Sequence, residues 1–157
     1  MSIVLIRIDD RLVHGQVVEG WVKYLSATKV VVVNDLIAKN YSRQMVMKFA
    51  LPEGVEFQAV SVAQIAQRGD LALDKEQREI ILFSSPGDVV AAIDQGLHLG
   101  QINLGGMHHF NSIRCLTTNI ALTKQDVDDL KSLLNKGIII NVCALPKDQG
   151  IDLINLL

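Results

Sequence analysis

The sequence predicts an α/β fold, a mostly parallel sheet with helices on both faces, and three observations carry that prediction. Short apolar runs rich in Val and Ile alternate along the chain with segments of helical period. The strand-like runs are continuously apolar, as in strands covered on both sides. Of 157 residues 49% are apolar and only 4% aromatic, so the core is built from Val, Ile and Leu, whose β-branched members favour strands. The length suits one domain, residues 1–157, large enough to bury a core without disulfides or metal.

Ile3 to Ile8 is the first strand, followed by a loop from Asp9 to Gly15. Val17, Val18, Trp21, Val22 and Leu25 then recur at helical spacing, with Glu19 and Lys23 opposite. Gly20 costs that helix about 1 kcal/mol relative to Ala and marks close packing; Trp21 reads as core. Lys29 to Val33 is a second strand, ending at Asn34-Asp35. A helix follows over Tyr41 to Leu51, with Tyr41, Met45, Lys48 and Phe49 a turn apart and Pro52-Glu53-Gly54 stopping it. Val55, Phe57 and Ala59 alternate like an edge strand, and Ser61 caps a short helix through Gln67. The polar stretch Gly69 to Gln77 belongs on the surface.

Glu79 to Phe83 is a third strong strand. Ser85 and Pro86 supply the cap and first turn of a helix carrying Val89, Val90, Ile93 and Leu97. Gln101 to Leu104 is a short strand ending at Gly105-Gly106, and Asn119 to Leu122 is another. Thr123-Lys124-Gln125-Asp126 resembles a capping box with Asp in the fourth place, opening a helix with Val127, Leu130, Leu133 and Leu134 inward. Ile138 to Ala144 is a strand and Asp148 to Leu156 a terminal helix.

A net charge of −2 without a basic stripe argues against nucleic acid as partner. No apolar run approaches the roughly 20 residues of a membrane span, and Met1 to Arg7 lacks the basic leader of a signal peptide. Cys115 and Cys143, with no CxxC pairing, read as reduced thiols. These features predict a cytoplasmic chain.

In open α/β sheets ligands sit beyond the carboxyl ends of the strands. Four expected strand ends are polar or glycine-rich, namely Asp9-Asp10, Asn34-Asp35, Ser84-Ser85 and Gly105-Gly106. The first continues into a loop with two carboxylates, the Arg11 guanidinium and the His14 imidazole, then Gly15 at a helix entry. A helix N-terminus is a seat for phosphate, Arg11 adds a fork of donors matched to phosphate oxygens, and Gly15 permits close approach or an unusual dihedral. A neutral imidazole nitrogen can attack phosphorus to give a phosphohistidine. His14 is therefore the expected nucleophile and Arg11 the phosphate clamp. Asp10, or Asp9, orients the ring; the backbone of Val13, Gly15 and Gln16 and the hydroxyls of Ser84 and Ser85 contact the phosphate. Asp9, Asp35, Gly106 and His108 are expected at the rim.

A metal at His108 and His109 with Asp35 or His14 is not expected, because no HxxxH spacing or third clustered ligand supports it. Ser84 and Ser85 lack a Gly-x-Ser-x-Gly elbow, and Gly105-Gly106 lacks a GxGxxG context, so no cofactor is expected.

Arg7-Ile8-Asp9-Asp10-Arg11-Leu12-Val13-His14-Gly15-Gln16-Val17 resembles the active-site signature of the IIB components of the mannose/fructose/sorbose class of bacterial sugar phosphotransferase systems. The resemblance spans essentially the whole chain. It continues in Val31 to Asp35, Phe83-Ser84-Ser85-Pro86, Ile102 to Met107, and the Asp126 helix followed by a strand and Pro146. It implies a three-layer α/β/α fold, read here with an antiparallel edge strand, and often a homodimer. It further implies that His14 takes a phosphoryl group, through Nδ1, from a IIA phosphohistidine. The group then passes to a sugar held by membrane IIC and IID subunits, with which the cytoplasmic chain associates peripherally. Two segments depart from the pattern. Ser84-Ser85-Pro86 stands where such chains carry Thr-Asn-Pro, and Ser112-Ile113-Arg114-Cys115 stands where many have Gly-Lys-x-Gln. The second departure motivates an alternative, a regulatory module of the same fold that senses phosphorylation state.

Overall fold

The computed structural model describes residues 3–69 and 77–157. The expected surface stretch Gly69 to Gln77 lies largely outside them, as do Met1 and Ser2. The chain runs β1 (Ile3–Asp9), a π-helical segment (Gln16–Val22), β2 (Lys29–Val33), α1 (Asp35–Ala38) and α2 (Tyr41–Ala50). It continues through β3 (Glu56–Val60), α3 (Val62–Ala66), β4 (Glu79–Phe83), α4 (Pro86–Asp94) and β5 (Gln101–His108). The last part comprises β6 (Arg114–Thr117), β7 (Ile120–Leu122), α5 (Lys124–Asn135), β8 (Ile139–Val142), β9 (Ile151–Asp152) and a 3-10 turn (Leu153–Asn155).

The sheet has the order β3-β2-β4-β1-β5-β7-β6, and β8 also pairs with β5. The pairs from β3 to β5 are all parallel, while β6–β7 and β8–β9 are antiparallel. The expected antiparallel edge is thus the β6–β7 hairpin. The strand expected at an edge, β3, is there too, parallel to β2.

Alternation along the strands divides the core in two. Val31, Val33, Ile81 and Phe83 face Ile65, Val89, Leu130 and Leu133 of α3, α4 and α5. Val30, Val32, Ile80 and Leu82 face Val17, Val18, Trp21 and Ile37 on the other side. Two apolar faces on one sheet require two helical layers, which gives the three-layer fold.

The caps act as the sequence predicts. Ser61 and Gln64 form a capping box, Ser85 accepts from the Asp88 N–H with Pro86 in the first turn, and Thr123 and Asp126 cap each other reciprocally.

Five elements differ from expectation, two of them being β5, which runs past Leu104 to His108, and β6, which was not expected. The segment after Gly15 is π-helical over Gln16–Val22, although its buried residues are the predicted ones, Val17, Val18, Trp21 and Val22. The short α1 was unforeseen; the Asn34 carboxamide caps it by accepting from the Leu36 and Ile37 N–H groups. α2 is the expected helix, though none of its residues is buried and Tyr41 and Phe49 face solvent. The terminal helix is absent. Leu145 N–H bonds the Asp148 carboxylate to close a turn, Ile151 pairs with Val142, and a Cβ on Gly150 would overlap the Asn141 side chain. Pairing the free side of β8 and seating Gly150 hold this stretch extended, with only a 3-10 turn beyond it.

The length of β5 matters for the site. Its first half, Gln101 to Leu104, pairs with β8, and its end, Met107 and His108, pairs with β7. The sheet therefore forks at Gly105-Gly106, leaving a crevice of about 170 Å³ between β7 and the β8–β9 turn.

Candidate functional site

The carboxyl end of β1 lies between those of β4 and β5. Beyond it the chain turns, with the Leu12 N–H bonded to the Asp9 carbonyl at 3.0 Å. Leu12 takes a left-handed φ of 57°, a conformation costing a non-glycine residue about 1 kcal/mol or more. Its burial against Val17 and Trp21 holds it there. Gly15, by contrast, has ordinary right-handed helical angles. The unusual dihedral belongs to Leu12, and what Gly15 supplies is space, since nothing lies within 4 Å of where its Cβ would be.

Asp9 is the centre of the cluster. Its side chain is fully buried, yet it meets Arg7 Nη2 at 2.9 Å, Arg11 Nε at 3.5 Å and His14 Nε2 at 2.9 Å. The Arg11 backbone N–H donates to it as well, at 3.1 Å. Burial pushes the Asp9 carboxyl up, but the hydrogen bond from His14, the charge of Arg7 and the Arg11 N–H outweigh it. The carboxyl is held below the ordinary range.

A carboxylate accepts only, so His14 Nε2 carries the proton and donates. The neutral ring then has its lone pair on Nδ1, the nitrogen not engaged by Asp9. His14 retains 16% side-chain exposure and Arg11 42%. The pair is open to a visitor while its support is sealed.

That support is Arg7, a fully buried guanidinium in a central strand. Nη1 donates to Asn103 Oδ1 at 2.7 Å and to the Cys143 carbonyl at 3.1 Å, and Nη2 reaches Gln16 Oε1 at 3.2 Å. The guanidinium carbon stands 5.5 Å from the centroid of the Trp21 ring, within cation–π range. Trp21 is core, as expected, and also one wall of this charge site. Burial lowers the Arg7 pKa and Asp9 opposes that, but a guanidinium stays protonated in water-accessible pH. Room for the pair comes from β5. A Cβ on Gly105 would overlap the Arg7 guanidinium, and one on Gly106 would sit 2.9 Å from Asp9 Oδ1.

Asp10 does not touch His14 and points to β5 instead. Oδ2 accepts from the His108 backbone N–H at 2.6 Å, and Oδ1 meets His108 Nδ1 at 2.8 Å. Of the two carboxylates expected to orient the ring, Asp9 makes the contact, and Asp10, in the turn just past the end of β1, is taken up by His108.

The remaining expected residues are placed as follows. Gln16 bridges the two arginines, its Oε1 accepting from Arg7 at 3.2 Å and Arg11 at 3.4 Å. The Val13 side chain is buried. Ser84 bonds Asn34 and Asp88, and the Ser85 hydroxyl caps α4. Both hydroxyls are thus engaged within their own corner. Asp35 accepts from the Val62 N–H at 2.8 Å, at the end of β2, two strand spacings or roughly 10 Å from β1. Gly106 is buried beneath Asp9, packed below the rim. His108 does stand at the rim. Among the described residues no group of three or more His, Cys, Asp or Glu could hold a metal ion.

Sequence reading gave no role to Arg7, Asn103 or Gly105. The available signal was Arg7 itself, a charge inside an otherwise apolar run from Ile3 to Ile8. A buried charge survives only where it is paired.

The family model described as "PTS system sorbose subfamily IIB component" matches residues 3–157. The chain belongs to the sorbose-subfamily IIB components of phosphotransferase systems. As a IIB component it is similar to the fructose-specific EIIB component of Bacillus subtilis (strain 168), 34% identical over all of this chain and 96% of that protein. It is also similar to the sorbose-specific EIIB component of Klebsiella pneumoniae, 28% identical over 99% of this chain and 94% of that one. A mannose-specific EIIAB component of Escherichia coli (strain K12) is 29% identical over the whole of this chain, which spans 49% of that longer protein. Among solved structures, the IIBSor domain of the Klebsiella pneumoniae sorbose permease superposes with a TM-score of 0.84 at 28% identity, covering 99% of this chain and 95% of that one. A IIB component of this subfamily is a phosphotransferase component of a sugar phosphotransferase system, and the carboxyl-end cluster on β1 lies within the matched span.

Proposed function

We propose that this IIB component is a phosphocarrier whose acceptor is His14. It takes a phosphoryl group from a phosphohistidine on a IIA protein or domain and passes it to a sugar bound by membrane IIC and IID subunits during uptake. The observation that carries the reading is the pinned ring, with Nε2 committed to a buried carboxylate at 2.9 Å and Nδ1 left as the nucleophile. In the first step the Nδ1 lone pair attacks phosphorus while the bond from phosphorus to the donor nitrogen breaks. The ring then carries positive charge, which Asp9 offsets. Arg11 steadies the phosphoryl oxygens, and the space over Gly15 admits them. Transfer of this kind depends on positioning and charge more than on covalent machinery.

The surroundings suit a reaction between two proteins. Phe110 is fully exposed and Ile113 largely so, on the loop that follows His108. The EIIAB relative of Escherichia coli, whose name joins A and B in one chain, supports a IIA protein as donor. No described helix is long and apolar enough to cross a membrane. In this reading the whole chain acts as one carrier domain, at the cytoplasmic face of a permease, with a homodimer as its candidate assembly.

Incubation with phosphorylated IIA tests the proposal. Acid-labile label should appear on the wild type and be lost in His14→Ala, whose fold is checked by circular dichroism. Label persisting in His14→Ala would overturn the assignment.

A further inference from the structure

Handing a phosphoryl group from one imidazole to another moves no proton, but handing it to a hydroxyl does. The acceptor oxygen loses a proton as its bond to phosphorus forms, and the cluster around Asp9 holds no group free to take it. His14 is itself the leaving group, Arg7 and Arg11 are cations, and Asp9 already accepts from Arg7, His14 and the Arg11 N–H.

A second imidazole stands beside it. β1 and β5 are paired with Asp9 opposite Gly106, and the Asp10 N–H bonds the Gly106 carbonyl at 3.0 Å. Two residues further along β5, His108 is fixed to the Asp10 carboxylate through both its backbone N–H and its ring Nδ1, at 2.6 and 2.8 Å. Asp10 accepts, so Nδ1 carries the proton and Nε2 bears the lone pair. Consecutive residues of one strand end therefore orient two imidazoles in opposite senses. Asp9 holds His14 by Nε2 and frees Nδ1; Asp10 holds His108 by Nδ1 and frees Nε2. The His108 side chain is about one-third exposed, so a substrate arriving at His14 from solvent can meet it. A histidine turned by a carboxylate, with its other nitrogen open, is the usual construction of a general base.

We propose that His108 is the general base of the second half-reaction. This rests on the carrier reading of His14 and deepens it. The hydroxyl oxygen of the sugar attacks the phosphorus on His14; the P–Nδ1 bond breaks and its electron pair returns to the His14 ring; the hydroxyl proton passes to His108 Nε2 and from there to water. Asp10 is then a positioning residue, holding the ring so that Nε2 faces the oxygen.

The two half-reactions can be timed separately. The protein is charged with label from phosphorylated IIA. Its discharge is then followed in membranes carrying its permease, with fructose, sorbose, mannose and N-acetylgalactosamine offered in turn and back-transfer to IIA as the proton-free reference. His108→Asn can still donate to Asp10 but is no base. It should discharge to sugar about 100-fold more slowly than wild type, with charging and back-transfer at wild-type rates. His108→Gln, whose amide reaches further, gives a second variant should the first fold poorly. Discharge at the wild-type rate in His108→Asn would overturn the proposal, and so would an equal loss in all three rates, which marks a loop pin. If the wild type takes no label on His14, the carrier reading itself fails, an outcome distinct from either of these.

Discussion

Asp9 stays charged at neutral pH although no part of its side chain reaches water, held so by the hydrogen bond from His14 and by the charge of Arg7, which is equally buried beside it. Removing one partner of such a pair strands the other, a loss of about 3–5 kcal/mol. Asp9→Asn should therefore lower the unfolding free energy measured by urea titration by an amount of that order and slow labelling of His14, whose ring loses its anionic anchor. The pH dependence has a definite sign. The folded carboxyl sits below its ordinary value, so the unfolded chain binds its proton first. The stability contributed by Asp9 is complete above the ordinary carboxylate range and is lost as pH falls through the depressed folded value. Urea titrations across the acid range should show a steeper decline for wild type than for Asp9→Asn. Parallel curves would remove Asp9 from this role. None of this was visible from Asp9-Asp10 as a dipeptide, because which carboxylate faces the imidazole depends on the direction in which β1 ends. That His14 and Arg11 share one cluster was legible, since both lie on one loop.

At the scale of elements, β5 contributes more by what it lacks than by what it carries. Gly105 and Gly106 leave the flat strip against which Arg7 and Asp9 lie. Read in the sequence they are simply a strand end; only the neighbouring strand reveals them as a steric requirement. Gly105→Ala should displace the Arg7 guanidinium and destabilise the fold by several kcal/mol, in the range for disrupting a buried charge pair. Gly15→Ala is the contrast, because the added methyl meets nothing within the protein. It should preserve the unfolding free energy to within about 0.5 kcal/mol while slowing phosphoryl transfer from IIA, and equal effects of the two substitutions would count against this division. The caps at Ser61, Ser85 and Thr123 were readable because each is settled by three or four consecutive residues. β6 was not, because Arg114 to Thr117 is almost wholly exposed and shows no alternation to read. The expected terminal helix gave way to β9, since the open side of β8 is a demand that no local pattern announces.

Across the whole molecule, the order β3-β2-β4-β1-β5 brings the β1 loop between two neighbouring strand ends. The sequence predicted a polar edge of this kind but could not rank its corners. Ser84 bonds Asp88 and Asp35 accepts from the Val62 N–H, whereas His108 bonds Asp10 beside the β1 loop. The parts of the sheet also differ in depth. Val30 to Val33 and Ile80 to Phe83 are wholly buried, whereas β6 is nearly all exposed. Amide exchange should follow that gradient. The β6–β7 amides should exchange through local opening, and those of β2 and β4 only on global unfolding. Uniform protection across the sheet in a hydrogen-exchange experiment would contradict this.

The fork in β5 bears on what happens when another protein presses on this edge. The last bond on the β8 side joins Cys143 N–H to the Leu104 carbonyl, and the first on the other side joins Met107 N–H to the Asn119 carbonyl. Between them β5 is bonded only on its β1 side, where the Asp10 N–H meets the Gly106 carbonyl, like an expansion joint between two slabs. In the carrier reading, a partner pressing on Phe110 or the hairpin should load that seam before the bonds of Arg7 to Asn103 and Cys143.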